Sequence, residues 1–339
     1  MRVCIVPEYP LNLMTGGMQV QAIETCQALQ ALGGGLSAEL FQWSDFGAPA
    51  DLYHFLGCPD HVAPIMNLVH AAKRPYVVTL LFGGCCSQAV LRKAAVRQFI
   101  NSQILGRREK YDAVTKASAI ITITEADARA AQIIYGVEEK QISIVPHGVA
   151  DGFFRNTATS WCEKYGNQPF VLCVGAIQQR KNQLLLAEAC NWLKLPLTLL
   201  GPVLPGERSY ADSVKEAMRQ NEQFGGRWLT TLSHEDELLH SAYAACRLFA
   251  LISTEETQPI SVMEAMAAKK PVVLLKAPYT TDPLFSNLPA AAAPKVHVVA
   301  KILQESWNQA LPTALPFNNC WGSIARQLES IYTRIVPGR

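Results

Sequence analysis

The sequence predicts an α/β protein built from two parallel-sheet domains, and three observations carry that expectation. At 339 residues the chain is about twice a typical domain in length, enough for two hydrophobic cores. Short β-branched runs alternate with amphipathic helical stretches, as strands joined by helical crossovers do. The alternation also ends near residue 150 and restarts at residue 170, so two similar halves follow one another.

The elements justify this in order. Residues 2–6 form a β-branched run, followed by a loop holding Pro7, Pro10 and Gly16-Gly17. A helix is expected over 19–32, with Ala22, Cys26, Leu29 and Leu32 on one face, stopped by Gly33-Gly34-Gly35. Further strands are expected at 52–56, 76–81, 119–124 and 142–145, the last just before Pro146-His147-Gly148. In the second half, 170–174, 197–200 and 248–252 read as strands, and 182–193 and 235–246 as helices. Another helix ends near Glu222, and 284–294 reads as irregular. The tail, 317–336, places Trp321, Ile324, Leu328, Ile331 and Ile335 on one helical face, which needs a surface to pack on. The expected domains are 1–150 together with the terminal helix 317–339, and 151–316.

Composition narrows the function classes. Hydrophobic residues make up 49% and charged residues 17%, against about 25% charge in an average globular protein, so the chain folds. A net charge of +2 offers no footprint for a polyanion, so nucleic acid is not an expected partner. The opening apolar run meets Pro7 too early for a signal-peptide core, and no run of apolar residues suits a membrane span; the expected location is cytoplasmic. The ten cysteines include no C-x-x-C, so no metal is expected. Cys4, Cys26, Cys173 and Cys190 read as small core residues. Cys85 and Cys86, behind Gly83-Gly84, read either as reactive thiols or as a plain loop. The segment 92–116 gathers Arg92, Lys93, Arg97, Arg107, Arg108, Lys110 and Lys116 among apolar residues. It reads either as a helix with a wet face or as one lying on an anionic membrane surface.

The densest chemical signal lies in 252–273: a strand end, a loop with Glu255 and Glu256, then a helix opening near Pro259. Free amides at Ile260, Ser261 and Val262, with the helix dipole, suit a diphosphate at the carboxyl end of a sheet. Glu264 is then placed for a ribose and Glu256 for a sugar.

Glu256-Thr257-Gln258-Pro259-Ile260, Glu264-Ala265-Met266-Ala267 and Pro271-Val272-Val273 together resemble the E-x7-E segment of the retaining, nucleotide-sugar-dependent glycosyltransferases of family 4. The likeness is collinear through most of the chain. It includes Gly16-Gly17, the segments 121–149, 170–189 and 233–253, and the tail with Trp321 and Tyr332. It implies a GT-B fold, two Rossmann-like domains facing across a cleft, with the donor on the second, the acceptor on the first and no metal or further cofactor. Glu256, Arg180 and Lys181 are the implied catalytic residues. Gly16, Gly17, Arg180, Lys181, Pro259, Ile260, Ser261 and Glu264 are the implied donor-binding set. The implied partners are a nucleotide-sugar donor and a glycan or lipid-linked acceptor.

The sequence departs from that family at four places. Ala176 follows Gly175 where an arginine is common, Leu81 stands for a histidine, Thr257-Gln258-Pro259 replaces G-F-G, and His147 replaces an asparagine. His54, in Asp51-Leu52-Tyr53-His54, matches another common histidine. Two alternatives stay open: a catalytically silent nucleotide-sugar-binding subunit, and a nucleotide-sugar epimerase on the same fold. A nicotinamide dehydrogenase is disfavoured, because no G-x-G-x-x-G follows the first strand.

Overall fold

The computed structural model describes residues 1–12, 16–42, 49–83, 88–104, 108–230, 232–309 and 319–337. Cys85, Cys86 and Arg107 lie outside the described residues. The chain forms two compact units: Met1–Gly148 with Asn319–Arg339, and Val149–Asn318.

Unit 1 runs β1 (Arg2–Pro7), α1 (Gly17–Leu32), β2 (Ser37–Leu40), β3 (Leu52–Leu56), α2 (Ala63–Ala71), β4 (Tyr76–Leu80), α3 (Gln88–Phe99), α4 (Glu109–Thr115), β5 (Ala119–Thr122), α5 (Glu125–Tyr135) and β6 (Ile142–Ile144). Its six strands are all parallel, in the order β2-β1-β3-β4-β5-β6. Every residue of β4 is buried, as expected for a strand covered on both faces. The sequence offers no β-branched run at β2, Ser-Ala-Glu-Leu; it is an edge strand held by β1 alone.

Unit 2 runs α6 (Asp151–Phe154), α7 (Thr159–Tyr165), β7 (Val171–Val174), α8 (Gln183–Leu193), β8 (Leu197–Leu200), α9 (Arg208–Asn221), β9 (Arg227–Leu229), α10 (Glu237–Ala245), β10 (Leu248–Leu251), α11 (Ile260–Ala267), β11 (Val272–Leu275), β12 (Ala290–Ala291) and α12 (Val296–Gln309). Its strands are also parallel, in the order β12-β11-β10-β7-β8-β9. Strands β9, β11 and β12 and helices α6, α7 and α12 are additions to the expected elements. Strand β12 falls inside the stretch read as irregular, and at two alanines it is too short to show a period. Helix α12 buries Val299, Ala300 and Leu303 in the core shared with Leu186, Ala189 and Cys190 of α8.

The last helix, α13 (Trp321–Ile335), returns to unit 1 and packs on α1. It buries Trp321, Ile324, Ala325, Leu328, Ile331 and Tyr332, while Ile335 at its end is only partly buried. Its Tyr332 hydroxyl lies 2.6 Å from His54 Nδ1, and His54 Nε2 lies 2.7 Å from the Thr79 hydroxyl. His54 thus stitches α13 to β3 and β4, and burial pushes its pKa down to about 3. His147 is likewise buried, with its ring 6.5 Å from that of Trp321, and burial lowers its pKa to about 4.

The segment 92–116 is not one helix. Helix α3 passes into a π-helical turn over Ile100–Ile104, and α4 is a separate element. The two bury different faces: α3 turns Leu91 inward, α4 turns Ala113 and Val114 inward. Arg108 and Lys116 close α4 from both ends through Asp112, at 3.6 and 2.8 Å.

In both units the chain builds outward from the first strand on one side, then crosses to build on the other. Each sheet therefore has a topological switch point, between β1 and β3 in unit 1 and between β7 and β10 in unit 2. Open α/β sheets bind ligands beside the carboxyl ends of the strands at such points.

Candidate functional site

The unit 2 switch point is formed by the loops that follow β7 and β10. The first makes a single 3₁₀ turn, Gln179–Lys181, ended by Asn182 in the left-handed region with φ 53°. Asn182 fixes that turn by donating its side-chain amide to the Ile252 carbonyl at 2.9 Å. The second loop grips the first at one point: the Arg180 carbonyl accepts from the Thr254 amide at 2.9 Å and the Thr254 hydroxyl at 3.1 Å. In return the Arg180 guanidinium donates to the Glu255 carbonyl.

This stitching brings three predicted residues together. Glu256 Oε1 lies 2.9 Å from Arg180 Nη1 and 3.5 Å from Lys181 Nζ. Neither contact is aligned as a hydrogen bond, so both are charge pairings. Two cations share one carboxylate, which leaves the cluster net positive. Lys181 and Glu256 are mostly shielded, with side chains 12% and 11% exposed, whereas Arg180 at 37% reaches solvent. Lys181 is positioned over Gly175, the first residue after β7: a Cβ there would stand 2.7 Å from its ammonium, and φ is 146°. The next residue, Ala176, is buried, so Arg180 is the guanidinium this loop presents.

Helix α11 contributes less than the sequence implied. The Val262 amide turns back to the Pro259 carbonyl at 3.1 Å, which removes one of the three expected donors. Pro259, at the N-cap, has no N–H and serves by fixing the backbone entry. Ile260 and Ser261 carry the two leading amides, which no helical carbonyl can reach.

Glu264 is buried and held on both oxygens: Oε1 lies 2.7 Å from His234 Nε2, and Oε2 accepts from the Tyr243 hydroxyl at 2.6 Å. Phe153 closes this pocket with ring centroids 5.4, 4.4 and 5.1 Å from His234, His240 and Tyr243. Burial, then the Glu264 charge, keeps the Tyr243 phenol far above its ordinary pKa, so it remains a donor. A carboxylate has about four acceptor directions, so each oxygen keeps one for a ligand.

His234, Tyr243 and Tyr279 escaped sequence reasoning. Tyr279, in the turn after β11, is buried with a hydroxyl that has no hydrogen-bond partner among the described residues. Its phenol is kept neutral by burial and by the Glu256 charge. No spacing signal marks these residues, since each meets its glutamate only across the folded sheet. Gly16 and Gly17 lie in unit 1 at the head of α1. Gly16 has φ 121° and open space around its Cα, so backbone conformation rather than crowding calls for glycine there. Among the described residues no group of three or more His, Cys, Asp or Glu is placed to hold a metal, and no helix is long and apolar enough to cross a membrane.

Residues 161–285 match the family described as Glycosyl transferases group 1. No curated protein matches the chain at the sequence level. Solved structures match over almost its whole length. HepE (Alr3699) of Anabaena in complex with UDP and glucose is 19% identical with a TM-score of 0.64, covering 99% of this chain and 98% of that one. Sucrose-phosphate synthase from Thermosynechococcus elongatus is 16% identical with a TM-score of 0.73, covering 99% of each chain. The catalytic domain of starch synthase IV from Arabidopsis thaliana, bound to ADP and acarbose, is 14% identical with a TM-score of 0.68, again covering 99% of each. The two six-stranded sheets are the Rossmann-like domains of a GT-B fold, and the group 1 match falls on the second of them.

Proposed function

We propose that the chain is a retaining, family 4 glycosyltransferase that moves a hexosyl group from a nucleotide-diphosphate donor to a hydroxyl of a glycan or glycolipid. The observation that carries this reading is the convergence of Arg180 and Lys181 on Glu256 at the unit 2 switch point. A donor diphosphate replaces Glu256 as the counter-anion of the two cations, with the amides of Ile260 and Ser261 completing its shell. As the bond to the sugar breaks, negative charge grows on the leaving diphosphate, and groups already aimed at it stabilise that charge without reorganising. Two cations and two amides supply the compensation a divalent metal would otherwise give. Glu256, released from Arg180, orients the sugar, and Glu264, held by His234 and Tyr243, accepts from the ribose. Gly16-Gly17 is the unit 1 backbone that this reading assigns to phosphate or acceptor binding. The complexes of structural neighbours with UDP and glucose, or with ADP, support a nucleoside diphosphate as the common ligand.

Binding should be read first from a thermal-shift panel of UDP-, GDP- and dTDP-sugars, since a ligand of the native state raises its melting point. One member should stabilise the protein, and Lys181→Ala and Glu264→Ala should each abolish the shift and the turnover. If both variants bind and turn over donor like the parent, the reading is wrong. The rival reading, a silent donor-binding subunit, is favoured by Ala176 and Leu81, which stand where an arginine and a histidine are common in the family. It predicts a shift with neither donor hydrolysis nor transfer.

We also propose that the protein works in the cytoplasm at a membrane face. Val96 and Phe99 of α3, 59% and 60% exposed, share the outer side of the helix with Arg92 and Lys93. That combination suits an anionic bilayer surface. Sedimentation with phosphatidylglycerol vesicles, lost in high salt, is the expected result; binding indifferent to lipid charge would remove the idea.

A further inference from the structure

Unit 1 has an open cavity of about 670 Å³ at its own switch point. Glu8, just after β1, and Asp60, in the loop after β3, line it together with Arg97 of α3 and Lys110 of α4; Leu80 and Leu91 supply apolar wall. The volume lies within the roughly 300–1,000 Å³ usual for small-molecule sites.

The charges around this cavity are largely unanswered by the protein. The Glu8 carboxyl makes no hydrogen bond or ion pair with the described residues, although burial holds its pKa above the usual carboxylate range against the opposing pull of His61 and Lys110. Its place is built into the backbone. His61 Nε2 holds the Glu8 carbonyl at 2.8 Å, and Gly57, with φ 98°, makes room for the side chain. A Cβ at Gly57 would come within 1.7 Å of Glu8 Oε1. Arg97 has no ion-pair or hydrogen-bond partner among the described residues. Lys110 reaches Asp60 at 3.1 Å, but the Asp60 side chain is 91% exposed, so a ligand anion can replace it at little cost.

A cavity lined by an unpaired guanidinium, an exchangeable ammonium and an unpaired carboxyl complements a molecule with an anionic end and hydroxyls. We propose that it binds a phosphorylated hydroxyl compound, the phosphate gripped by Arg97 and Lys110 while a hydroxyl donates to Glu8. This rests on the glycosyltransferase reading and names the class of its acceptor. The phosphate has two sources, a soluble sugar phosphate or a phosphodiester lipid headgroup, and guanidinium geometry suits both.

The test uses the full chain and three probes: glucose 6-phosphate, glucose, and phosphatidylcholine vesicles with and without phosphatidylglycerol. Calorimetry should show glucose 6-phosphate or the anionic vesicles binding, and glucose failing. Arg97→Gln, a change at an exposed helix position, should weaken the bound probe tenfold or more. Arg129→Gln, exposed on α5 and outside the cavity lining, should weaken it less than threefold. Glu8→Gln should weaken glucose 6-phosphate severalfold and leave inorganic phosphate unchanged. Which of the two phosphate probes responds to Arg97 identifies the source. The proposal is overturned if neither binds, if glucose binds as tightly as its phosphate, or if Arg97→Gln behaves like Arg129→Gln. A parallel titration with UDP-glucose separates the two levels. Donor binding lost with Lys181→Ala, alongside a cavity that takes no probe, refutes the cavity alone. Arg97-dependent phosphate binding without any donor binding keeps the anion site but refutes its role as an acceptor site.

Discussion

The two switch points share one topology and treat charge in opposite ways. At β7/β10 the cations and the carboxylate answer each other, with Arg180 and Lys181 closed on Glu256 and the loops stitched through the Arg180 carbonyl. At β1/β3 the charges stand around an empty volume, with Glu8 and Arg97 facing no protein partner among the described residues. A paired cluster can stay preorganised without ligand and admits an anion by exchange. An open cavity depends on its ligand to supply the counter-charge. The first arrangement suits a ligand of fixed shape such as a diphosphate; the second tolerates variety, as an acceptor site must.

Breaking the paired site should have the largest effect. Lys181→Ala removes a shielded cation from the group facing the leaving diphosphate, and loss of one such preorganised group typically costs about 10²–10³ in turnover. Steady-state transfer, compared as kcat/KM for the donor, is the measurement. A drop under threefold would show that Arg180 and the helix amides suffice alone.

A second experiment contrasts the units through pH. His54 and His147 are neutral in folded unit 1, with pKa values of about 3 and about 4. The ordinary histidine value is about 6.5, so below it the unfolded chain binds protons that the folded chain refuses. Stability must therefore fall as pH drops from 6.5 toward 4, by about 1.4 kcal/mol per pH unit for each histidine, or roughly 2 kcal/mol each by pH 5. Glu8 acts with the opposite sign: its raised pKa favours the folded state at low pH, a contribution lost as pH rises through that pKa. Denaturant unfolding at pH 7.5, 6 and 5 reads the net slope. Ring resonances of His54 or His147 that titrate near pH 6.5 in the native protein would contradict it.

Gly57 and Gly175 sharpen the comparison by pairing the same lesion in both sites. An alanine at either must hold a φ that L residues rarely adopt and must displace a charged side chain, Glu8 or Lys181. Each should cost about 1–3 kcal/mol of stability in its own unit. Gly175→Ala should also lower donor affinity, and Gly57→Ala should not. Equal effects on donor binding would mean that the cavity and the cation cluster are not independent.

How much of this was readable beforehand follows from range. The central strands and α13 were legible because their apolar periods are long and their faces fully buried, as in β4 and in Trp321 to Ile331. The edge strands β2, β9 and β12 have between two and four residues and one neighbour each, so tertiary pairing rather than pattern makes them strands. Arg180, Lys181 and Glu256 could be proposed from their positions after strands, yet that they meet on one oxygen depends on β7 and β10 being adjacent. The partners of Glu264 come from a loop and from α10, and the lining of the unit 1 cavity from six stretches of chain. No window of sequence contains such sets.

The smallest expected effect is the most discriminating, because it asks whether Glu256 occupies the place of a phosphate. In the ligand-free protein its carboxylate competes for the Arg180 guanidinium, which is partly exposed at 37%, so the pairing is worth no more than about 0.5–1 kcal/mol. Glu256→Gln keeps the shape and removes the charge. UDP should then bind about two- to fivefold more tightly, since the cations no longer have to leave a partner, while sugar transfer falls because the group that orients the sugar is altered. Affinity and turnover thus move in opposite directions, which a variant that merely loosened the loop would not produce. Weaker UDP binding in Glu256→Gln would mean that the carboxylate positions Arg180 for the ligand instead of competing with it, and the exchange of counter-anions at the β7/β10 site would have to be abandoned.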